Sequence, residues 1–78
     1  MITGEQVEAA RKLLNWSQMS LAEAASLGLQ IIIDVELGRN VISVEEIAFI
    51  RAALEREGVT FIGSDGVKFK RRTGEPPD

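Results

Sequence analysis

The chain has 78 residues, with 9 Lys and Arg against 12 Asp and Glu, no His and no Cys, for a formal charge of −3. Without Cys or His there is no thiolate zinc site, no disulfide and no Ser-His-Asp or Cys-His catalytic set. At 45% apolar and 27% charged the composition is that of a globular chain, and the length suits one small domain, since domains typically run to ~100–150 residues.

Thr3-Gly4-Glu5-Gln6 fits a capping box, in which Thr3 accepts from a first-turn amide and Gln6 reaches back. Val7, Ala10, Leu13 and Leu14 follow at helical spacing, and Arg11 and Lys12 suit the C-terminal end of the dipole, so a first helix is expected over about 4–14. Asn15 and Trp16 form a break, with Trp16 expected to pack in the core at the corner. Ser17 is a good N-cap for a second, short helix that turns Leu21, Ala22 and Ala25 inward. Ser26-Leu27-Gly28 makes the next turn, with Gly28 free to take unusual backbone angles.

A third helix is expected over about 29–37, closed by a left-handed Gly38. Its Ile31-Ile32-Ile33 run also suits a strand, but the short turn before it and Gly38 after it favour helix. Ser43-Val44-Glu45-Glu46 is a second capping box. Behind it Ile47, Ile50 and Leu54 form a stripe, with Val44 and Phe49 alongside, and Gly58 ends the fourth helix. Val59-Thr60-Phe61-Ile62, the turn Gly63-Ser64-Asp65-Gly66, and Val67-Lys68-Phe69-Lys70 read as a β-hairpin. A lone hairpin is marginal, so it should pack on the helices or pair with another chain. This divides the chain into a helical unit over 1–58, its hairpin extension over 59–72, and a frayed tail over 73–78.

The elements Trp16-Ser17-Gln18, Leu21-Ala22 and Ala25, followed by Ile32, Val35, Glu36 and Gly38-Arg39, resemble the XRE (Cro/CI-like) helix-turn-helix family. The resemblance covers about residues 3–58. It extends more loosely to a short bacterial subgroup through Gly58-Val59-Thr60-Phe61-Ile62 and the basic stretch 68–72. It implies an all-α, four-helix helix-turn-helix domain with a small C-terminal β-hairpin. In DNA-binding members the third helix lies in the major groove. The resemblance makes Gln30, Ile31, Ile33, Asp34 and Leu37 the groove-facing set. Helical geometry gives much the same set: with Ile32 and Val35 inward, Gln30, Asp34 and Leu37 turn directly outward and Ile31 and Ile33 flank them.

That set is a poor reader of DNA. The family typically carries Thr or Ser at the position of Ile31 and basic or polar residues at those of Ile33 and Asp34. From Leu27 through Gly38 there is no Lys or Arg, and of the usual base-reading side chains only Gln30 is present. Useful DNA binders make ~6–10 phosphate contacts through Lys and Arg. Residues 1–67 hold five basic residues (Arg11, Lys12, Arg39, Arg51, Arg56) and ten acidic ones, a balance of −5 that repels a polyanion. Only Lys68, Lys70, Arg71 and Arg72 make a basic end.

The same substitutions leave an apolar surface rimmed by acid, which is typical of a protein contact. The expected binding set is therefore Gln30, Ile31, Ile33, Asp34 and Leu37, with Gln18 and Met19 of the preceding helix at the rim. An acidic rim suits the basic DNA-binding surface of a transcriptional activator. A degraded reading helix in so short a chain is similar to bacterial antiactivators that restrain quorum-sensing, LuxR-type activators of conjugative transfer. This resemblance implies a LuxR-type activator as partner.

Plainer readings stand beside this one. Ile31 and Ile33 join the core if the helix is rotated, or are covered by a homodimer. An ordinary sequence-specific repressor or autoregulator would draw its missing affinity from the basic end or from dimerisation. A toxin–antitoxin-type partner protein would use the same apolar face. Arg11 and Glu36 suit an inter-helix ion pair, and Arg39 either contacts phosphate, as in DNA-binding relatives, or caps carbonyls. Lys68 and Lys70 suit a lysine-protected edge strand, and the pairs Glu45/Glu46 and Glu55/Glu57 suit solvated helix faces. No apolar run approaches the ~20 residues of a membrane span. Met1-Ile2-Thr3-Gly4-Glu5 lacks the basic-then-apolar order of a signal peptide. The expectation is a soluble, cytoplasmic, non-enzymatic protein without cofactor or metal.

Overall fold

Three of the four described helices begin where a side chain accepts from a first-turn amide. The computed structural model describes residues 1–39 and 41–70. Helix α1 spans Gly4–Leu13, and both halves of its capping box form: Thr3 Oγ1 accepts from the Gln6 N–H at 3.2 Å and Gln6 Oε1 from the Thr3 N–H at 2.9 Å. Helix α2, Gln18–Ala25, starts on Ser17, whose hydroxyl accepts from the Ser20 N–H. Helix α3 spans Leu29–Leu37. Helix α4, Val44–Arg56, carries the second complete capping box, Ser43 with Glu46.

Three helices end in the same way. Asn15, Ser26 and Gly38 take left-handed backbone angles (φ 59°, 59° and 70°). In each case the next residue's N–H reaches back five residues: Trp16 to Arg11, Leu27 to Ala22, and Arg39 to Asp34. This is the 6→1 bond of a Schellman closure, and it satisfies carbonyls that the helix end leaves open. The expected role of Gly38 is met. That of Gly28 is not: it holds an ordinary extended φ of −70° as the N-cap of α3. The turn between α2 and α3 is made by Ser26, because the reversal is needed where α2 ends, not where α3 begins.

Strands β1 (Val59–Ile62) and β2 (Gly66–Phe69) pair antiparallel, with Val59 opposite Phe69 and Ile62 opposite Gly66. Val59 is buried, and Phe61, Val67 and Phe69 pack against the core. The core itself runs through all four helices: Val7 and Ala10, Leu21 and Ala22, Ile32 and Val35, Ile50, Ala53 and Leu54. Trp16 packs on it at the α1–α2 corner, partly exposed. Val44 and Phe49 do not join it. Both are exposed, beside the stripe that Ile47, Ile50 and Leu54 turn inward.

Two close approaches lock the elements together. A Cβ at Gly4 would collide with the Val35 carbonyl oxygen, so the first turn of α1 rests directly on the backbone of α3. On the other side, the fully buried Gln6 donates its amide to the Gly63 and Gly66 carbonyls, at 3.2 and 2.9 Å. The hairpin therefore packs on the helices, as its small size requires, with its turn fixed to the start of α1. Arg71, Arg72 and the expected tail over 73–78 lie outside the described residues. Among the described residues no helix is long and apolar enough to cross a membrane.

Candidate functional site

The expected face belongs to α3, which one nearly buried ion pair ties to its neighbours and a second, local interaction flanks. Arg11 grips Glu36 with both arms of its guanidinium, Nε to Oε2 at 2.7 Å and Nη2 to Oε1 at 3.0 Å, and its Nη1 donates to the Trp16 carbonyl at 2.9 Å. Gln18 completes the set, donating to Glu36 Oε1 at 3.0 Å. One carboxylate thus ties α3 to α1 and α2. Hydrogen bonding to Glu36 holds the Arg11 pKa above its ordinary value, against the opposing effect of burial. Gln18, expected at the rim, is committed to this network.

The second interaction overturns part of the expectation. Asp34, expected to point directly outward, is only 7% exposed. Its Oδ1 accepts from Gln30 Nε2 at 3.0 Å and from Arg39 Nη2 at 3.3 Å. Ile31, expected on the flank of the face, packs against the core. Asp34 and Val35 line one groove with Ile2, Arg39, Ile42 and Ile47, so the N-terminal segment and the chain returning after Gly38 border that side of the helix. The periodicity of α3 alone could not show this border, because it comes from segments outside the helix.

The open side of α3 is instead that of Gln30, Ile33 and Leu37, at i, i+3 and i+7. Gln30 is exposed, Ile33 is partly exposed, and Leu37 is 63% exposed. Met19 on α2 is 48% exposed. Of the seven residues expected at the site, Met19, Gln30 and Leu37 are exposed, Gln18, Ile31 and Ile33 are partly exposed, and Asp34 is buried. Arg39 pairs with Asp34, a role that neither phosphate contact nor carbonyl capping anticipated.

Arg39, just past α3, brings an exposed basic side chain beside this face, engaged by Asp34. No Lys or Arg lies on α3 itself. Phe49 borders a separate shallow cleft between α2 and α4, with Ala24, Ala25, Ala52 and Arg56. The described residues contain no group of three or more acidic side chains placed to hold a metal ion.

No protein-family model matches the chain, and neither does any curated protein. The residues themselves carry the functional reading.

The sequence reading missed one exposed apolar group. Val41 is almost fully exposed, and Met1 and Val44 are largely so. A signal for Val41 was present: it falls between a helix-ending Gly38 and a helix-starting Ser43, where an apolar side chain has no helix face to join.

Proposed function

We propose that this chain regulates transcription by binding protein, acting in the cytoplasm as a non-enzymatic antiactivator. In this reading α2 and α3 form a helix-turn-helix unit of XRE type whose reading helix has exchanged DNA for a polypeptide. Its partner is a bacterial transcriptional activator of LuxR type, engaged through Met19, Gln30, Ile33 and Leu37. Covering the activator's basic DNA-binding surface blocks promoter binding.

The observation that carries this reading is Leu37. It stands 63% exposed at the C-terminal end of a helix that bears no Lys or Arg. A groove-reading helix needs guanidinium, ammonium or amide groups there, and a protein-binding helix needs aliphatic carbon. The net charge of −5 over residues 1–67 supports the same choice. The test is an electrophoretic mobility assay with the activator and its promoter DNA. Adding the chain should release the DNA, and Leu37→Lys should abolish that release. Retardation of DNA by the chain alone, with a steep salt dependence, would support the repressor reading instead.

A further inference from the structure

The two strands of the hairpin differ at their outer edges. The Lys70 N–H donates to the Gly58 carbonyl at 3.0 Å, Val59 stands opposite Phe69, and Thr60 stands opposite Lys68. Hydrogen-bonded and non-hydrogen-bonded pairs alternate along an antiparallel ladder. Thr60 and Ile62 therefore bond across to β2, and the backbone N–H and C=O groups of Val59 and Phe61 point away from it. The sheet has two strands, so that side of β1 is an edge. Among the described residues, no turn, loop or side-chain hydrogen bond meets these groups of Val59 and Phe61.

Such edges are commonly blunted by Lys, Pro or a bulge. Strand β2 carries the exposed Lys68 and is followed by the exposed Lys70. It also lies against α1, with its turn held by Gln6. Strand β1 lacks this protection. Its Val-Thr-Phe-Ile sequence contains no charge and no proline, and Thr60 and Ile62 are both exposed. The side chains of Val59 and Phe61 turn the other way, onto the core. Helix α4 meets β1 on that inner face, with the Arg51 guanidinium 5.6 Å from the centre of the Phe61 ring.

The residues of this edge favour a second copy of the same strand. When two copies of β1 run antiparallel about a two-fold axis at Thr60, Val59 of each faces Phe61 of the other and exchanges both ladder bonds with it. Thr60 then faces Thr60. A β-branched residue with an aromatic one, and Thr with Thr, are favourable cross-strand pairs, and no charge meets its like. The same operation on β2, about Lys68, sets lysine against lysine.

We propose that β1 is a self-association edge, through which two copies of this chain join their hairpins into one continuous antiparallel sheet. The interface is short, so the pairing is weak and depends on concentration. It uses none of the residues on the open side of α3, which packs chiefly on α1 and α2. The pair thus presents that side twice, which raises avidity for a partner with two sites. The proposal stands apart from what α3 binds.

Sedimentation equilibrium of the full chain over roughly 10 µM to 1 mM should show a monomer passing into a dimer. Over the same range hydrogen exchange at the Val59 and Phe61 amides should slow, while the outward amides of β2, at Val67 and Phe69, should not follow. Thr60→Glu sets a carboxylate opposite Lys68 within the chain, which suits the hairpin, and opposite its own copy across the axis, which does not. It should weaken the dimer about five-fold or more. Thr60→Lys should weaken it as well, and an equimolar mixture of the two variants should restore association. A monomer throughout the range, exchange at Val59 and Phe61 that ignores concentration, a dimer untouched by either variant, or a mixture that stays monomeric would each overturn the proposal.

Discussion

The side-chain amide of Gln6 donates to the Gly66 carbonyl at 2.9 Å, across 60 residues of chain. The same amide reaches Gly63, and its oxygen caps the Thr3 N–H. One buried side chain thus starts α1 and anchors the hairpin turn. Gln6→Leu keeps the volume but leaves those partners unmet. Since an unsatisfied buried polar group costs ~1–3 kcal/mol, the variant should lose about 2–3 kcal/mol in urea unfolding. Hydrogen exchange should quicken first in the hairpin. Uniform protection with unchanged stability would show the clamp to be dispensable.

The Arg11–Glu36 pair predicts a different pattern. Both side chains are nearly buried, so removing one partner strands the other, at ~3–5 kcal/mol. Arg11→Met and Glu36→Gln should each destabilise strongly, while the double variant should recover part of the loss. A double-mutant cycle in denaturant reads the coupling.

The pair also predicts how stability responds to pH. The Arg11 pKa is raised by its partner. The stability this contributes is complete below the ordinary arginine value and is lost only as pH rises through the folded one. Arg11 should therefore add no slope to stability between pH 6 and pH 9 (~6–9, far below any arginine titration). Unfolding midpoints of the wild type and of the double variant Arg11→Met/Glu36→Gln, which leaves no stranded carboxylate, should keep a constant separation across that range.

Ser26 sits in a left-handed conformation that glycine adopts without penalty. For other residues that conformation costs ~1–2 kcal/mol. Ser26→Gly should raise stability by about 0.5–1 kcal/mol, after the added entropy of the unfolded chain is subtracted. Gly38→Ala, at φ 70°, should lower it by about 1 kcal/mol. Thermal melting of the two variants should move in opposite directions.

Much of this architecture was readable from local chemistry. Both capping boxes, the Ser17 cap and the Gly38 closure depend on neighbours a few residues apart and appear where the sequence places them, and the hairpin appears with its second strand one residue earlier than expected, over Gly66–Phe69. The site was readable only in part, because which face of a nine-residue helix stays open depends on what covers the rest. Asp34 looked exposed by periodicity and is buried, engaged by Gln30 and Arg39. Gln6 looked like a cap alone, since nothing local announces that its amide also serves a turn almost sixty residues away.

The most direct test of the account is calorimetric titration of the full chain into the purified LuxR-type activator proposed as its partner. Wild type, Ile33→Lys, Leu37→Lys and the core-facing control Ile31→Val would be compared. The account predicts saturable binding, weakened by about 1–3 kcal/mol in each lysine variant and nearly unchanged in the control, with all four proteins folded. Equal binding by wild type and both lysine variants would contradict it, because the open side of α3 would then carry none of the contact.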